Sequence, residues 1–477
     1  MNPNNCNPLF HVMLALTCVF CLCTSNLNAE SETAPKQIDL HTGFQPATTL
    51  FRDNLCLGVK FSQGESLDNL SNLETLKVKW VRDSVDWAVM EPEPGKWREG
   101  FPVEFLQRLK YYRDHDIGVI FLLGYGNGKA YPNDNQNPTN STDPTRFADY
   151  AVHVTELMKF AQVRFALEIL NEPHNNRTLR NLGGNWQGKA PSPWVDYYVR
   201  IARETVSAVH AIDPDIKLLT DDDMWIVHYW FLEAGLPPDI TGFAIHPYTG
   251  PKDPEHTAVS YNTDWTQPFS VVDKDGSFGS AVRRLREHGI AKLGKTPEIW
   301  ITEWGWPVGN GKGEISDATL TWYLPRAFIL AAAAGVKTTC WFSSHDAVDG
   351  PMGLTRNDNS KRDSFFAYRT LAAQLADLRL TQHVFGSDHP AEGVQGFLFE
   401  NGQQKKLVVW NVSGQDKTMI FPDAENSANG VDVLGREVEL IGKTDNKKQI
   451  KITGMPVYFS GKMLENISKI EFSDVLE

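Results

Sequence analysis

The sequence is poor in cysteine, carries no basic cluster and has no apolar run long enough to cross a bilayer. Of its six cysteines, Cys6, Cys18, Cys21 and Cys23 fall near the start, leaving Cys56 and Cys340 for the rest of the chain. That excludes a fold built on disulfides. Lys and Arg total 46 against 59 Asp and Glu, a net charge of -13, and no basic run interrupts the acidic balance. A surface that tracks nucleic-acid phosphates is therefore excluded, and a neutral partner fits better. No His-Glu-x-x-His segment, paired-cysteine spacing or EF-hand loop occurs, so no metal is expected. The glycine-rich pieces at Gly124 and Gly309 lack the context of a phosphate-binding loop, so no nucleotide cofactor is expected either.

The apolar stretch Leu9 to Cys23, followed by Leu27-Asn28-Ala29, reads as an export signal cleaved near Ala29, giving a domain plan that starts with residues 1–29 as signal peptide. Its flank departs from the usual pattern, with no Lys or Arg before Lys36. The residues before Cys21 and Cys23 make a poor lipobox, so lipid anchoring is the lesser alternative. The expected product is secreted or periplasmic, without a membrane span, its oligomeric state left open.

Between residues 51 and 378, short runs rich in Val, Ile, Phe and Trp alternate with stretches of helical period, the mark of a parallel α/β fold. Eight runs can be counted: Leu55 to Val59, Lys79 to Asp83, Val119 to Leu123, Phe165 to Leu170, Ile216 to Leu219, Gly242 to Ile245, Glu298 to Thr302 and Thr338 to Phe342. This is the count of a (β/α)8 TIM barrel. Asp143-Pro144 and Ser192-Pro193 supply helix starts, and a further helix runs from Ser316 to Gly335 over Pro325. Residues 379–477 change to short alternating segments separated by Asn, Gly and Asp, an all-β domain expected to be a sandwich. The segment 30–50 is a candidate extra strand of that domain. With Cys56 and Cys340 on the first and last runs, a bridge is conceivable, but strain across adjacent strands favours two free buried thiols.

Two glutamates stand at strand ends on the face where barrel chemistry is done. The fourth run ends in Asn171-Glu172-Pro173, and the seventh in Thr302-Glu303-Trp304-Gly305-Trp306-Pro307. Cleaving a glycosidic bond needs one group to protonate the leaving oxygen and another to attack or assist at the anomeric carbon. Asn-Glu-Pro after the fourth strand and a Glu after the seventh resemble the clan A glycoside hydrolases, over landmarks from Leu55 to Phe342. The resemblance implies Glu172 as acid/base, Glu303 as nucleophile and Asn171 as a partner of the sugar 2-hydroxyl. It further implies that Arg82 keeps the nucleophile ionised, that His246 and Tyr248 orient the two carboxyls, and that Trp341 stacks under the sugar. Trp87, Trp304 and Trp306 are candidate platforms at neighbouring subsites, with core packing as the alternative for each.

Family 5 members commonly place a His after the third strand, where this chain reads Leu123-Gly124-Tyr125-Gly126. With the C-terminal β domain and the Glu-Trp-Gly segment, this moves the resemblance toward family 39. Glu91 and Glu93 read as surface turn residues, and Asp221, Asp222 and Asp223, on the catalytic face after the fifth strand, as a capping, solvated charge run, with binding of sugar hydroxyls or a cation as the lesser alternative. The expected activity is a retaining β-glycosidase acting on oligo- or polysaccharide by double displacement, with carboxyl groups about 5 to 5.5 Å apart. The alternatives are a non-catalytic carbohydrate-binding barrel and a transglycosylase using the same glutamates.

Overall fold

The computed structural model describes residues 44 and 46–474, apart from 176–178, 184–188, 258–262, 387–392, 413–414, 422–428 and 444–446. The expected signal peptide lies outside these residues, as does most of the segment 30–50. The described end of that segment is not a strand; it runs beside the β domain, with the Ala47 N–H donating to the Leu380 carbonyl at 2.8 Å.

Eight strands form a closed parallel barrel in chain order: β1 (Leu55–Gly58), β2 (Trp80–Asp83), β3 (Gly118–Leu123), β4 (Phe165–Ile169), β5 (Lys217–Asp222), β6 (Gly242–Ile245), β7 (Glu298–Trp304) and β8 (Thr339–Phe342). The helices that follow them are α1 (Leu70–Thr75), α2 (Val103–Asp114), α3 (Pro144–Ala161), α4 (Pro193–Ile212), α5 (Trp225–Glu233), α6 (Phe278–Leu293), α7 (Asp317–Ala333) and α8 (Asp363–Leu375). Local chemistry explains their starts. Asp143 accepts from the Arg146 N–H, Ser316 accepts from the Thr319 N–H, and Pro193 opens α4 where its missing N–H costs nothing. In α4, Val195, Tyr198, Ala202, Val206 and Val209 form the buried stripe that the helical spacing predicts.

Two strands run further than their apolar patterns. β5 continues to Asp222 and β7 to Trp304. Asp221 and Asp222 in β5 and Glu303 in β7 interrupt the apolar run that marks a strand in sequence.

Inside the barrel, Trp80, Trp300, Ile120 and Leu219 interdigitate with Ala166, Ala244, Cys56 and Cys340. Large residues need small ones opposite them at this radius. Gly118 pairs in register with Trp80, and a Cβ there would stand 2.5 Å from the indole. Cys56 and Cys340 are not free thiols: they face one another in register and are joined by a disulfide, with Cα atoms 4.1 Å apart. Strain argued against this bond, yet the closing of β8 on β1 brings two inward-pointing sulfurs to the same level.

The C-terminal region forms two antiparallel sheets. One orders its strands Arg379–Phe385, Val394–Glu400, Lys405–Asn411, Val457–Ser460, Asn429–Val431 and Glu437–Val438; the other orders Ile441–Lys443, Lys447–Ile452, Lys417–Phe421 and Glu471–Asp474. Leu407 and Val409 pack with Met419, Phe421, Ile450 and Ile452 between the sheets. The alternate residues, Val408 and Trp410, belong to the core of the barrel. A strand buried on both faces explains why Leu407 to Trp410 is apolar without alternation. Trp410 Nε1 donates to Glu255 Oε1 at 2.7 Å, and Arg326 Nε reaches the same oxygen at 2.9 Å.

Candidate active site

Both glutamates sit at the C-terminal mouth of the barrel, in a cleft of about 840 Å³. Glu303 is in β7, one residue before the strand ends; Glu172 follows β4 in a tight turn whose Leu170 and Glu172 both have positive φ, 59° and 41°. One oxygen of Glu172, one of Glu303 and one nitrogen of His246 all lie within 4.8 Å of one another.

Glu303 is held at both oxygens. Arg82 Nη1 donates to Oε1 at 2.5 Å and Tyr248 Oη to Oε2 at 2.8 Å. Burial alone would raise its pKa, but the charges of His246 and Arg82 and the Tyr248 hydrogen bond outweigh it and bring it down to about 2. Arg82 also donates from Nε to Glu168 Oε2 at 2.6 Å and from Nη2 to Asn171 Oδ1 at 2.8 Å, so one guanidinium fixes three side chains.

Glu172 is the more open carboxyl, its side chain 20% exposed against 11% for Glu303. His246 Nδ1 lies 2.9 Å from Glu172 Oε1, and the Glu172 N–H donates to Asp221 Oδ2 at 2.9 Å. Burial opposes a charge on His246, but the carboxylates of Asp221 and Glu303 prevail and hold its pKa well above the ordinary value. The imidazolium is thus a donor at both nitrogens.

No protein-family profile and no curated protein matches the chain. Solved structures do. A family 39 glycoside hydrolase from the gut symbiont Bacteroides cellulosilyticus WH2 is 17% identical, with a TM-score of 0.66 over 88% of this chain and 82% of that one. A GH30 endoxylanase from Clostridium papyrosolvens C71 is 10% identical, with a TM-score of 0.55 over 88% of this chain and 97% of that one. A monomeric beta-xylosidase from Caulobacter crescentus CB15 is 13% identical, with a TM-score of 0.53 over 87% and 97%. The chain has the fold of these clan A glycoside hydrolases. At such identities the likeness speaks for the two-part architecture, and what the site does must come from its own residues.

Of the residues singled out in the sequence, Arg82, Asn171, Glu172, His246, Tyr248 and Glu303 come together here. The four tryptophans do not. Trp87, Trp304, Trp306 and Trp341 are at most 1% exposed and offer no face to a sugar. Trp87 stacks on Tyr150 and donates from Nε1 to Glu91, which is buried and not a surface turn residue. Trp304 stacks on Phe278, and Trp306 lies between Trp304 and Trp341. The aromatics that line the cleft are instead Phe61, Phe105, Tyr248, Phe342, under the Lys60 ammonium 3.9 Å from its ring centroid, and Tyr125, which is 56% exposed.

Sequence reasoning also missed the buried acids. Asp221 and Asp222 are fully buried, so this run is no solvated surface; Asp222 pairs with His174 Nδ1 at 2.9 Å. Glu168, three residues before Asn171, is buried beside Arg82. Its apolar neighbours Leu167 and Ile169 are the signal that could have found it, since a charge inside such a run needs a partner. Among the described residues, Glu168–Asp221–His246 and His174–Asp222–Asp223 bring three possible metal ligands together. In the first, Arg82 and the imidazolium already supply the positive charge. No helix among the described residues is long and apolar enough to cross a membrane.

Proposed function

We propose that the chain is an exported retaining β-glycosidase that cleaves β-linked oligo- or polysaccharide with Glu172 as acid/base and Glu303 as nucleophile. The observation that carries this reading is the spacing: an oxygen of one carboxyl lies within 4.8 Å of an oxygen of the other, which fits the short separation of about 5 to 5.5 Å in a retaining pair better than the roughly 6.5 to 9.5 Å of an inverting one. The two groups are also differentiated. Glu303 is ionised by Arg82, His246 and Tyr248, and Glu172 faces the more open part of the cleft.

In the first step Glu303 attacks the anomeric carbon as Glu172 protonates the departing oxygen, so the glycosidic C–O bond breaks while an ester to Glu303 forms. In the second step Glu172 takes a proton from water, whose oxygen displaces Glu303 and restores the original configuration. Asn171, its Oδ1 engaged by Arg82, has its amide NH2 to donate to the sugar 2-hydroxyl. Export rests on the leader Leu9 to Cys23 and agrees with a disulfide in the barrel, which an oxidising compartment preserves.

The test is sugar release from β-linked polysaccharides and aryl β-glycosides, comparing wild type with Glu172→Gln and Glu303→Gln. Xylosides come first, because two of the structural neighbours are a xylosidase and an endoxylanase. Turnover lost in both variants is expected, and azide should rescue Glu303→Ala to give a glycosyl azide of inverted configuration. Silence across the panel with glycan binding retained would replace this reading with a binding protein.

A further inference from the structure

We infer that Asp221 is a positioning residue for acid catalysis, gripping Glu172 at once by its backbone and, through His246, by its side chain. The inference rests on the glycosidase reading and deepens it.

The turn that presents Glu172 is conformationally costly. Leu170 and Glu172 both adopt positive φ, and neither is glycine. Such a turn needs something outside it to hold its amide groups. Asp221, at the mouth end of the neighbouring strand β5, does so: its Oδ2 accepts the Glu172 N–H at 2.9 Å. Its other oxygen, Oδ1, forms an ion pair with His246 Nε2 at 3.0 Å. His246 Nδ1 then reaches Glu172 Oε1 at 2.9 Å, which closes a ring from Asp221 through the imidazole to the Glu172 carboxyl and back along the backbone. Thr302 Oγ1, 3.0 Å from His246 Nε2, steadies the same imidazole from β7.

Asp221 is fully buried and does not line the cleft, so it cannot touch substrate. Whatever it contributes passes through its neighbours. Two routes are open to it. One leads to Glu172 by the ring just described; the other leads through Arg82, whose Nη2 is 3.8 Å from Oδ2, to Glu303. The contacts to Glu172 and His246 are shorter, and Arg82 is already bound at 2.6 Å and 2.5 Å by Glu168 and Glu303. The geometry therefore favours the acid/base.

The two routes predict different leaving-group behaviour. A phenol leaves with help from a proton, whereas 2,4-dinitrophenol leaves without it, so misplacing Glu172 penalises the first and spares the second. Asp221→Asn keeps size and one acceptor but loses the charge that holds the imidazolium. On kcat/KM for phenyl and 2,4-dinitrophenyl β-xylosides or β-glucosides, we expect a fall of about a hundredfold on the phenyl glycoside, the low end of general acid catalysis. On the dinitrophenyl glycoside the fall should stay below about threefold. If Asp221→Asn does not fold, Asp221→Ser, which leaves room for a water at the Glu172 N–H, is read with the same pair. Equal losses on both substrates, or no loss on either, overturn the inference while the glycosidase reading stands. The pair is made on whichever glycone the wild type cleaves in the panel above, and wild-type silence across that whole panel overturns the two together.

Discussion

Cys56 and Cys340 meet in register across the seam where β8 closes on β1, 284 residues apart in the chain, and the bond between them staples the barrel shut. Cross-linking so long a loop removes much of the freedom of the unfolded chain, a stabilisation of about 2–4 kcal/mol in typical proteins. The sulfurs lie among Trp80, Ala244 and Trp300 in the barrel interior and do not line the cleft. Cys56→Ala/Cys340→Ala should therefore lower the unfolding free energy in urea by about that amount, with turnover at 25 °C little changed. Wild type treated with reductant under denaturing conditions should unfold at the urea midpoint of the variant; unequal midpoints would assign the loss to the cavity instead of the cross-link.

Arg82 binds Glu303, Glu168 and Asn171 with three different nitrogens. Lysine offers one ammonium and cannot span them. Losing a charge-assisted hydrogen bond costs about 1.5–3 kcal/mol, so Arg82→Lys should lower kcat/KM by roughly 10- to 150-fold. Because the damage falls on Glu303, the proposed nucleophile, phenyl and dinitrophenyl glycosides should suffer alike, in contrast to Asp221→Asn. A loss confined to the phenyl glycoside would place Arg82 with the acid instead.

The barrel and the six residues gathered around the cleft were legible because each leaves a local trace: an apolar run leading into Asn-Glu-Pro, or an Arg near the end of a strand. The tryptophans were misread for a physical reason. Trp304 and Trp306 alternate with Glu303 near a strand end, and an alternating pattern says which residues share a side but not whether a helix covers that side; here Phe278 of α6 does. Asp221 and Asp222 look in sequence like any exposed acidic run. Their burial depends on His246 and His174, which come from other strands and turns, and a single strand carries no record of those partners. The disulfide belongs to the same class, since two cysteines in different strands announce neither register nor the direction of their side chains.

His174, next to Pro173 and fully buried, pairs with Asp222 at 2.9 Å and with Asp223 at 3.4 Å. Burial works against its charge, but the two carboxylates outweigh it and raise its pKa from 6.5 to about 9. A pKa raised on folding contributes stability that is whole below about pH 6.5 and is lost as pH rises through about 9. Melting temperatures of wild type and His174→Asn should therefore be furthest apart near pH 6 and converge toward pH 10. Parallel curves would mean that His174 is held neutral.

Tyr125, two residues beyond the end of β3, is the exposed aromatic beside the two glutamates. It is 56% exposed and lines the cleft that holds both glutamates, so its ring is free to meet a ligand there. An aromatic face suits the C–H face of a sugar; taking aromatic pairs as the scale, the contact contributes about 0.5–1.5 kcal/mol beyond buried area. Tyr125→Ala should then lower kcat/KM by up to roughly tenfold, mostly through KM, while Tyr125→Phe keeps the stacking and most of the activity. Stability should move by no more than about 0.5 kcal/mol in either variant, as for other exposed positions. If Tyr125→Phe loses as much as Tyr125→Ala, the hydroxyl and not the ring makes the contact, and the subsite is read by hydrogen bonding.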